Sequence, residues 1–167
     1  MQEDMQKIIN QKPLIMVVDD NKDHAKLFGY FLKKSGFESV EVIKSQGCLK
    51  KMTELYEAGK KIDCLVVDIA MPIINGFQLT KLVKKTPLFG DVPIILVTAA
   101  DSGMFSKEID ESEADLFLQK PIDKDVFIAE VKAMIQLTRY RAVCNLLQAD
   151  HVEPTELLEQ IRAVING

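Results

Sequence analysis

The sequence predicts a doubly wound α/β domain on a five-stranded parallel sheet, and three observations predict it. Five short apolar runs alternate with five amphipathic helical patterns between Leu14 and Leu137. Gly36 and Gly59 punctuate the passage from helix to strand, and Gly76 opens a helix after a Met-Pro pair. Four of the five runs end on polar or charged residues, at Asp19-Asp20, Asp68, Thr98 and Lys120. Strands that alternate with helices pair in parallel through right-handed crossovers and are buried on both faces. All the carboxyl ends of such strands lie on one edge, where ligands gather.

Residues 1–12 read as a polar lead-in, a frayed or short helical arm whose one aliphatic pair is Ile8-Ile9. Leu14 to Val18 is the first buried strand. From Asn21 to Lys34 the spacing of Ala25, Leu27, Phe28, Phe31 and Leu32 predicts an amphipathic helix. Gly36 is suited to its left-handed stop. Ser39 to Ile43 predicts the second strand, and Ser45 is expected to cap a helix carrying Leu49, Met52 and Leu55 and ending at Gly59. Ile62 to Asp68 predicts the third strand. Phe77, Leu79, Leu82 and Val83 mark the next helix, and Thr86-Pro-Leu-Phe-Gly-Asp91 is turn chemistry. Pro93 to Thr98 is the fourth strand, Ser102 to about Ser112 a short charged helix, and Leu116 to Gln119 the fifth strand. Asp123 then starts a long helix with Phe127, Val131, Met134 and Ile135 on its apolar face.

At 167 residues the chain can bury a full core, and a hydrophobic share of 47% excludes a disordered chain. A net charge of -4 argues against a nucleic-acid-binding face. Cys48, Cys64 and Cys144 are widely spaced, with no CxxC pair or zinc pattern, which suits a reducing compartment. The first residues lack a secretory pattern and no run reaches the length of a membrane span, so a soluble, cytoplasmic protein is expected.

The polar strand ends carry the chemistry. Asp19, Asp20 and Asp68 would repel one another on a shared edge, and a divalent cation resolves the conflict. Ligands that are all oxygen favour Mg²⁺, the usual partner of phosphoryl groups. Lys120 and the Thr98 hydroxyl could hold the remaining phosphoryl oxygens, leaving Asp68 as the nucleophile of an acyl phosphate. Each residue has a plainer reading alone: Asp19-Asp20 as a helix cap, Asp68 as a polar strand end, Thr98 as a β-branched strand residue, Lys120 as a solvated loop charge. Their coincidence at four strand ends is what argues for a site.

Four motifs, Val17-Val-Asp-Asp-Asn21, Asp68-Ile-Ala-Met-Pro-Ile-Ile-Asn-Gly76, Thr98-Ala-Ala100 and Ala114-Asp-Leu-Phe-Leu-Gln-Lys-Pro121, occur in this order. Together they resemble the receiver domain of two-component response regulators, over roughly Pro13 to Leu137. The resemblance implies the flavodoxin-like strand order 2-1-3-4-5. It implies phosphorylation at Asp68, and Mg²⁺ held by Asp19, Asp20, Asp68 and the main-chain carbonyl of Ala70. It implies phosphoryl binding by Thr98 and Lys120, a switch made by Thr98 and the aromatic Phe117, and a cis bond between Lys120 and Pro121. The phosphoryl donor would be a phosphohistidine on a sensor histidine kinase or a histidine phosphotransfer protein. The protein would then be a self-catalysed phosphoacceptor rather than an enzyme.

There are departures from the family pattern. Glu113 stands where the family often has Gly, which puts the end of the fourth helix in doubt. Ala70 and Ala100 are small and nonpolar where the family tunes hydrolysis. An aspartyl-phosphate hydrolase of the dehalogenase type would need a second Asp at position 70. A dinucleotide-binding domain would need a glycine-rich first turn in place of Asp19-Asp20-Asn21, and a flavodoxin would find its phosphate repelled by those carboxylates. His24 and His151, the two histidines, read as surface residues without ligand partners at useful spacing.

Residues 138–167 read as a helical extension beyond a receiver expected at 13–137. The apolar pattern continues through Tyr140, Val143, Leu146 and Leu147, breaks at Asp150-His-Val-Glu-Pro154, and resumes at Leu157, Leu158, Ile161, Val164 and Ile165. Its arginines are balanced by acids, so no basic stripe for DNA is present. Apolar surface of that size marks an interface, and a homodimer through these helices is the expected product. A fold-back onto the receiver and a linker to a further domain remain alternatives. Output is expected through an unidentified downstream protein, from either a stand-alone receiver or the regulatory front of a longer one.

Overall fold

The computed structural model describes residues 11–99 and 106–149. The lead-in 1–10, residues 100–105 with Ala100 and the expected helix start at Ser102, and the extension beyond Ala149, with His151 and the apolar residues from Leu157 to Ile165, lie outside the described residues. The elements in chain order are β1 (Leu14–Val18), α1 (Lys22–Lys34), β2 (Glu38–Val42), a 3-10 turn (Ser45–Gly47), α2 (Cys48–Glu57), β3 (Cys64–Asp68), α3 (Gly76–Lys84), β4 (Ile94–Thr98), α4 (Ser106–Glu111), β5 (Leu116–Gln119) and α5 (Lys124–Ala149). The sheet is parallel in the order β2-β1-β3-β4-β5. The doubly wound architecture and its strand order are therefore as the sequence led one to expect.

The period of two along each strand sorts the core into two layers. Met16, Val18, Leu65, Val67, Ile94 and Leu96 pack on one face with Cys48 and Met52 of α2 and Leu79 and Val83 of α3. Ile15, Val17, Val66, Ile95 and Val97 pack on the other with Phe28 and Leu32 of α1 and Phe127, Val131 and Ile135 of α5. Strands β1, β3 and β4 are buried at every position, which is why they read as unbroken apolar runs.

Helix ends follow local chemistry. Gly36 (φ 92°) and Gly59 (φ 74°) take the left-handed position after α1 and α2. In each case the next residue's amide returns to the helix, Phe37 to Leu32 and Lys60 to Leu55, and Gly bonds back three residues, to Lys33 and Tyr56. Asn75 caps α3 in a reciprocal box with Gln78. Asp123 caps α5 through the amides of Asp125 and Val126.

Several boundaries differ from expectation. Strand β2 runs from Glu38 to Val42, one residue earlier than Ser39 to Ile43, because Leu14 pairs with Glu38 and the Glu38 amide bonds Pro13. Ser45 does not cap α2: it is buried in the 3-10 turn with its hydroxyl 3.5 Å from the Pro72 carbonyl oxygen, and α2 starts at Cys48. Strand β3 starts at Cys64; the Asp63 carboxylate instead turns to accept the Leu14 amide at the base of the sheet. Helix α4 ends at Glu111, with the Ser112 amide and hydroxyl both on Ile109. Glu113 is not in the left-handed region, so no glycine is needed there. Helix α5 passes position 138 without interruption. No helix among the described residues is long and apolar enough to cross a membrane.

One residue is held against its preference. Ile73 has φ 69°, the only non-glycine at positive φ among the described residues. The Ile74 amide bonds the Pro72 carbonyl across it at 2.8 Å, closing the rare γ-turn of positive φ. A sparsely populated backbone conformation of this kind costs on the order of 1–3 kcal/mol, and a β-branched residue takes positive φ less readily than Asn. The Ile73 side chain is 81% exposed, so little burial is at stake. Ile73→Asn is expected to raise stability by roughly 0.5–1 kcal/mol in urea unfolding. A midpoint no higher than that of the parent would show that the turn is not strained.

Candidate functional site

Parallel pairing brings β1 and β3 side by side, with Val18 opposite Val67. The residues that follow, Asp19 and Asp68, meet at the carboxyl edge, and both are buried. Asp19 Oδ1 accepts the Asn21 amide at 2.9 Å, and Asp68 Oδ2 accepts the Ala70 amide at 2.9 Å. Each carboxylate is thereby aimed by the loop that leaves its own strand. Asp20 is exposed and completes the group: Asp19, Asp20 and Asp68 each offer an oxygen within 4.8 Å of the others.

Lys120 enters from the end of β5. Its amide bonds the Thr98 carbonyl at 2.7 Å, and the Lys120–Pro121 peptide is cis. The ammonium bridges Asp68 Oδ1 at 2.9 Å and Asp19 Oδ2 at 3.0 Å, with 14% of the side chain exposed. Burial works against the charge, but the hydrogen bonds to Asp68 and Asp19 outweigh it, and the ammonium is held above the usual lysine range. Thr98 is buried at the end of β4, where Asp68 pairs with the preceding Val97. Phe117, on β5, is half-buried with its ring 6.3 Å from that of Phe77. Ala70 is exposed beside Asp68.

The edge therefore unites Asp19, Asp20, Asp68, Thr98 and Lys120. A histidine from the first turn of α1 joins them. His24, in the first turn of α1, places Nδ1 3.1 Å from Lys120 Nζ and 3.6 Å from Asp19 Oδ2. It is a surface residue as expected, but it does have partners. A helix that starts directly after a strand end keeps its first turn above that end, but which of its side chains reaches over the edge depends on the helix's rotation, which no spacing in the sequence reveals.

Fold and edge together define a doubly wound domain with an acidic centre bridged by lysine. The family profile described as the response regulator receiver domain matches residues 15–132. Protein PilG of Pseudomonas aeruginosa is 29% identical over 122 residues, which cover 72% of this chain and 86% of that one. The alkaline phosphatase synthesis transcriptional regulatory protein PhoP of Bacillus subtilis is 29% identical over 140 residues, 83% of this chain but 55% of its own. Among solved structures, the chemotaxis protein CheY4 of Vibrio cholerae superposes with a TM-score of 0.67 at 20% identity, over 74% of this chain and 99% of that one. The chain belongs to the response regulator receiver domain family, whose members are signalling phosphoacceptors.

Proposed function

We propose that Asp68 is the phosphoacceptor of this receiver. The observation that carries the reading is the Lys120 ammonium bonded to both Asp68 and Asp19 across the sheet edge. A carboxylate oxygen of Asp68 attacks the phosphorus of a phosphohistidine. The P–N bond breaks, its electron pair leaves with the imidazole, and an acyl phosphate forms. Lys120 and the Thr98 hydroxyl take the non-bridging oxygens, so the chain's contribution is position and charge rather than covalent work.

The three clustered carboxylates, all hard oxygen donors with one open to solvent, fit Mg²⁺. Asp19, Asp20, Asp68 and the Ala70 carbonyl would hold it, and the ion supplies positive charge against the incoming phosphoryl group. When Thr98 turns to the phosphoryl group it leaves space that Phe117 fills, without burying an unpaired polar atom. The face of α4, β5 and α5 then changes for a downstream protein. The donor is a sensor histidine kinase or a histidine phosphotransfer protein in the cytoplasm, and the phosphorylated state forms and decays by the receiver's own catalysis. Intact-mass measurement after incubation with acetyl phosphate and Mg²⁺ is the test; a chain that takes up no phosphoryl group sinks the reading.

The receiver unit is taken as 13–137, with an arm at 1–12 and an extension at 138–167. The extension is proposed to pair with a second copy. Support comes from the open groove of about 970 Å³ beside it, where Thr138 and Ala142 of α5 face Met52, Tyr56, Phe89 and Val92. Tyr56 and Leu88, which line the groove, are exposed. Light scattering is expected to give a dimer for the full chain and a monomer for a chain ending at Leu137. Two monomers would refute pairing. The second reading, a receiver at the front of a longer protein, is favoured by the 55% of PhoP that the chain spans.

A further inference from the structure

A lysine ammonium has three N–H donors. On Lys120 each meets an acceptor: Asp68 Oδ1 at 2.9 Å, Asp19 Oδ2 at 3.0 Å and His24 Nδ1 at 3.1 Å. At hydrogen-bond distance from an ammonium, the imidazole nitrogen has to be the bare, accepting one. The ring is tied to the site by the cap that starts its helix, since the His24 amide bonds Asn21 Oδ1 at 3.2 Å while the Asn21 amide bonds Asp19. The face of Phe28 flanks the ammonium, 5.8 Å from ring centroid to Nζ.

Resting on the reading of Asp68 as phosphoacceptor, we propose that His24 is a positioning residue for phosphoryl transfer. When the Asp68 carboxylate becomes an acyl phosphate, its oxygen loses the charge that held one Lys120 donor, and that donor must be re-aimed at the phosphoryl group. An ammonium with two donors fixed, on Asp19 and His24, has its third direction set. With one donor fixed it still rotates. His24 thus lets the proton donor pass from carboxylate to phosphoryl oxygen without the lysine leaving its place. The imidazole gives up no proton and forms no bond to phosphorus.

Three chains, the parent, His24→Leu and His24→Asn, decide it with acetyl phosphate and Mg²⁺. Leu fills similar space without an acceptor, whereas the Asn side-chain oxygen falls close to the position of imidazole Nδ1. For His24→Leu the maximal rate of phosphoryl uptake is expected to fall about fivefold, which corresponds to about 1 kcal/mol at 1.36 kcal/mol per tenfold. The half-saturating donor concentration should change by less than about twofold, and Asn should recover the rate to within about twofold. Since the ring is 47% exposed, thermal stability should hardly move. Equal rates for the parent and His24→Leu would overturn the proposal. So would Asn as slow as Leu, or a loss confined to donor affinity. A parent that takes up no phosphoryl group overturns the phosphoacceptor reading itself, whereas an active parent with an equally active His24→Leu removes only the role of His24.

Discussion

Asp68→Asn is expected to abolish phosphoryl uptake from acetyl phosphate while leaving the domain folded. An amide is no nucleophile toward phosphorus, and the neighbouring carboxylates are poorly placed to substitute. Asp19 is buried with its oxygens on the Asn21 amide and Lys120, and Asp20 is exposed. The fold should survive because the substitution preserves shape. One side-chain oxygen can still accept either from Lys120 or from the Ala70 amide, though not from both. The lost charge-assisted bond costs about 1.5–3 kcal/mol in general terms, and relief of repulsion among three clustered carboxylates offsets part of it. A net change of about 1 kcal/mol in urea unfolding, with no mass increase on incubation, is the expected pair of results. Unaltered uptake by Asp68→Asn would move the nucleophile to another residue and sink the assignment.

What could be read from the sequence depended on how many constraints each segment satisfied at once. Strands β1, β3 and β4 are covered on both faces, so their burial left near-continuous apolar runs that read as buried strands. The Glu-Ser-Val-Glu-Val segment of β2 alternates instead, and at no position is it fully buried. Its register comes from the Glu38–Pro13 bond and the pairing with β1, which no local pattern reveals. Ser45 is a favoured capping residue by type, but the 3-10 turn carries it inward toward Pro72. The site was legible because its residues fall at strand ends, and parallel pairing brings such ends together whatever lies between them. His24 was not, because its place depends on how the first turn of α1 rises over the edge. The strained turn at Ile73 was equally hidden: an isoleucine gives no sign of positive φ.

Gly76→Ala is expected to cost roughly 2–4 kcal/mol of stability and most of the activity. Gly76 is the first residue of α3, and its amide bonds the Ile69 carbonyl at 3.0 Å. A Cβ at this position would lie 2.6 Å from the Asp68 carbonyl oxygen and 2.8 Å from Ile69 Cα. Both neighbours are backbone, so no rotamer change can make room. Either α3 must back away from the sheet or the end of β3 must shift. The first move disturbs Phe77, Leu79, Thr80 and Val83, all buried, and the second moves Asp68 itself. Alanine gains about 1 kcal/mol of helix propensity over glycine, too little to offset a steric loss on that scale. The activity loss follows from the same contact, because a displacement on the order of 1 Å at a reacting group can lower a rate about a hundredfold. Urea unfolding and acetyl phosphate uptake on the one variant test both halves. A Gly76→Ala chain as stable and as active as the parent would mean that α3 does not approach β3 this closely, and that the loop from Ile69 to Asn75 is not what holds Asp68 in place.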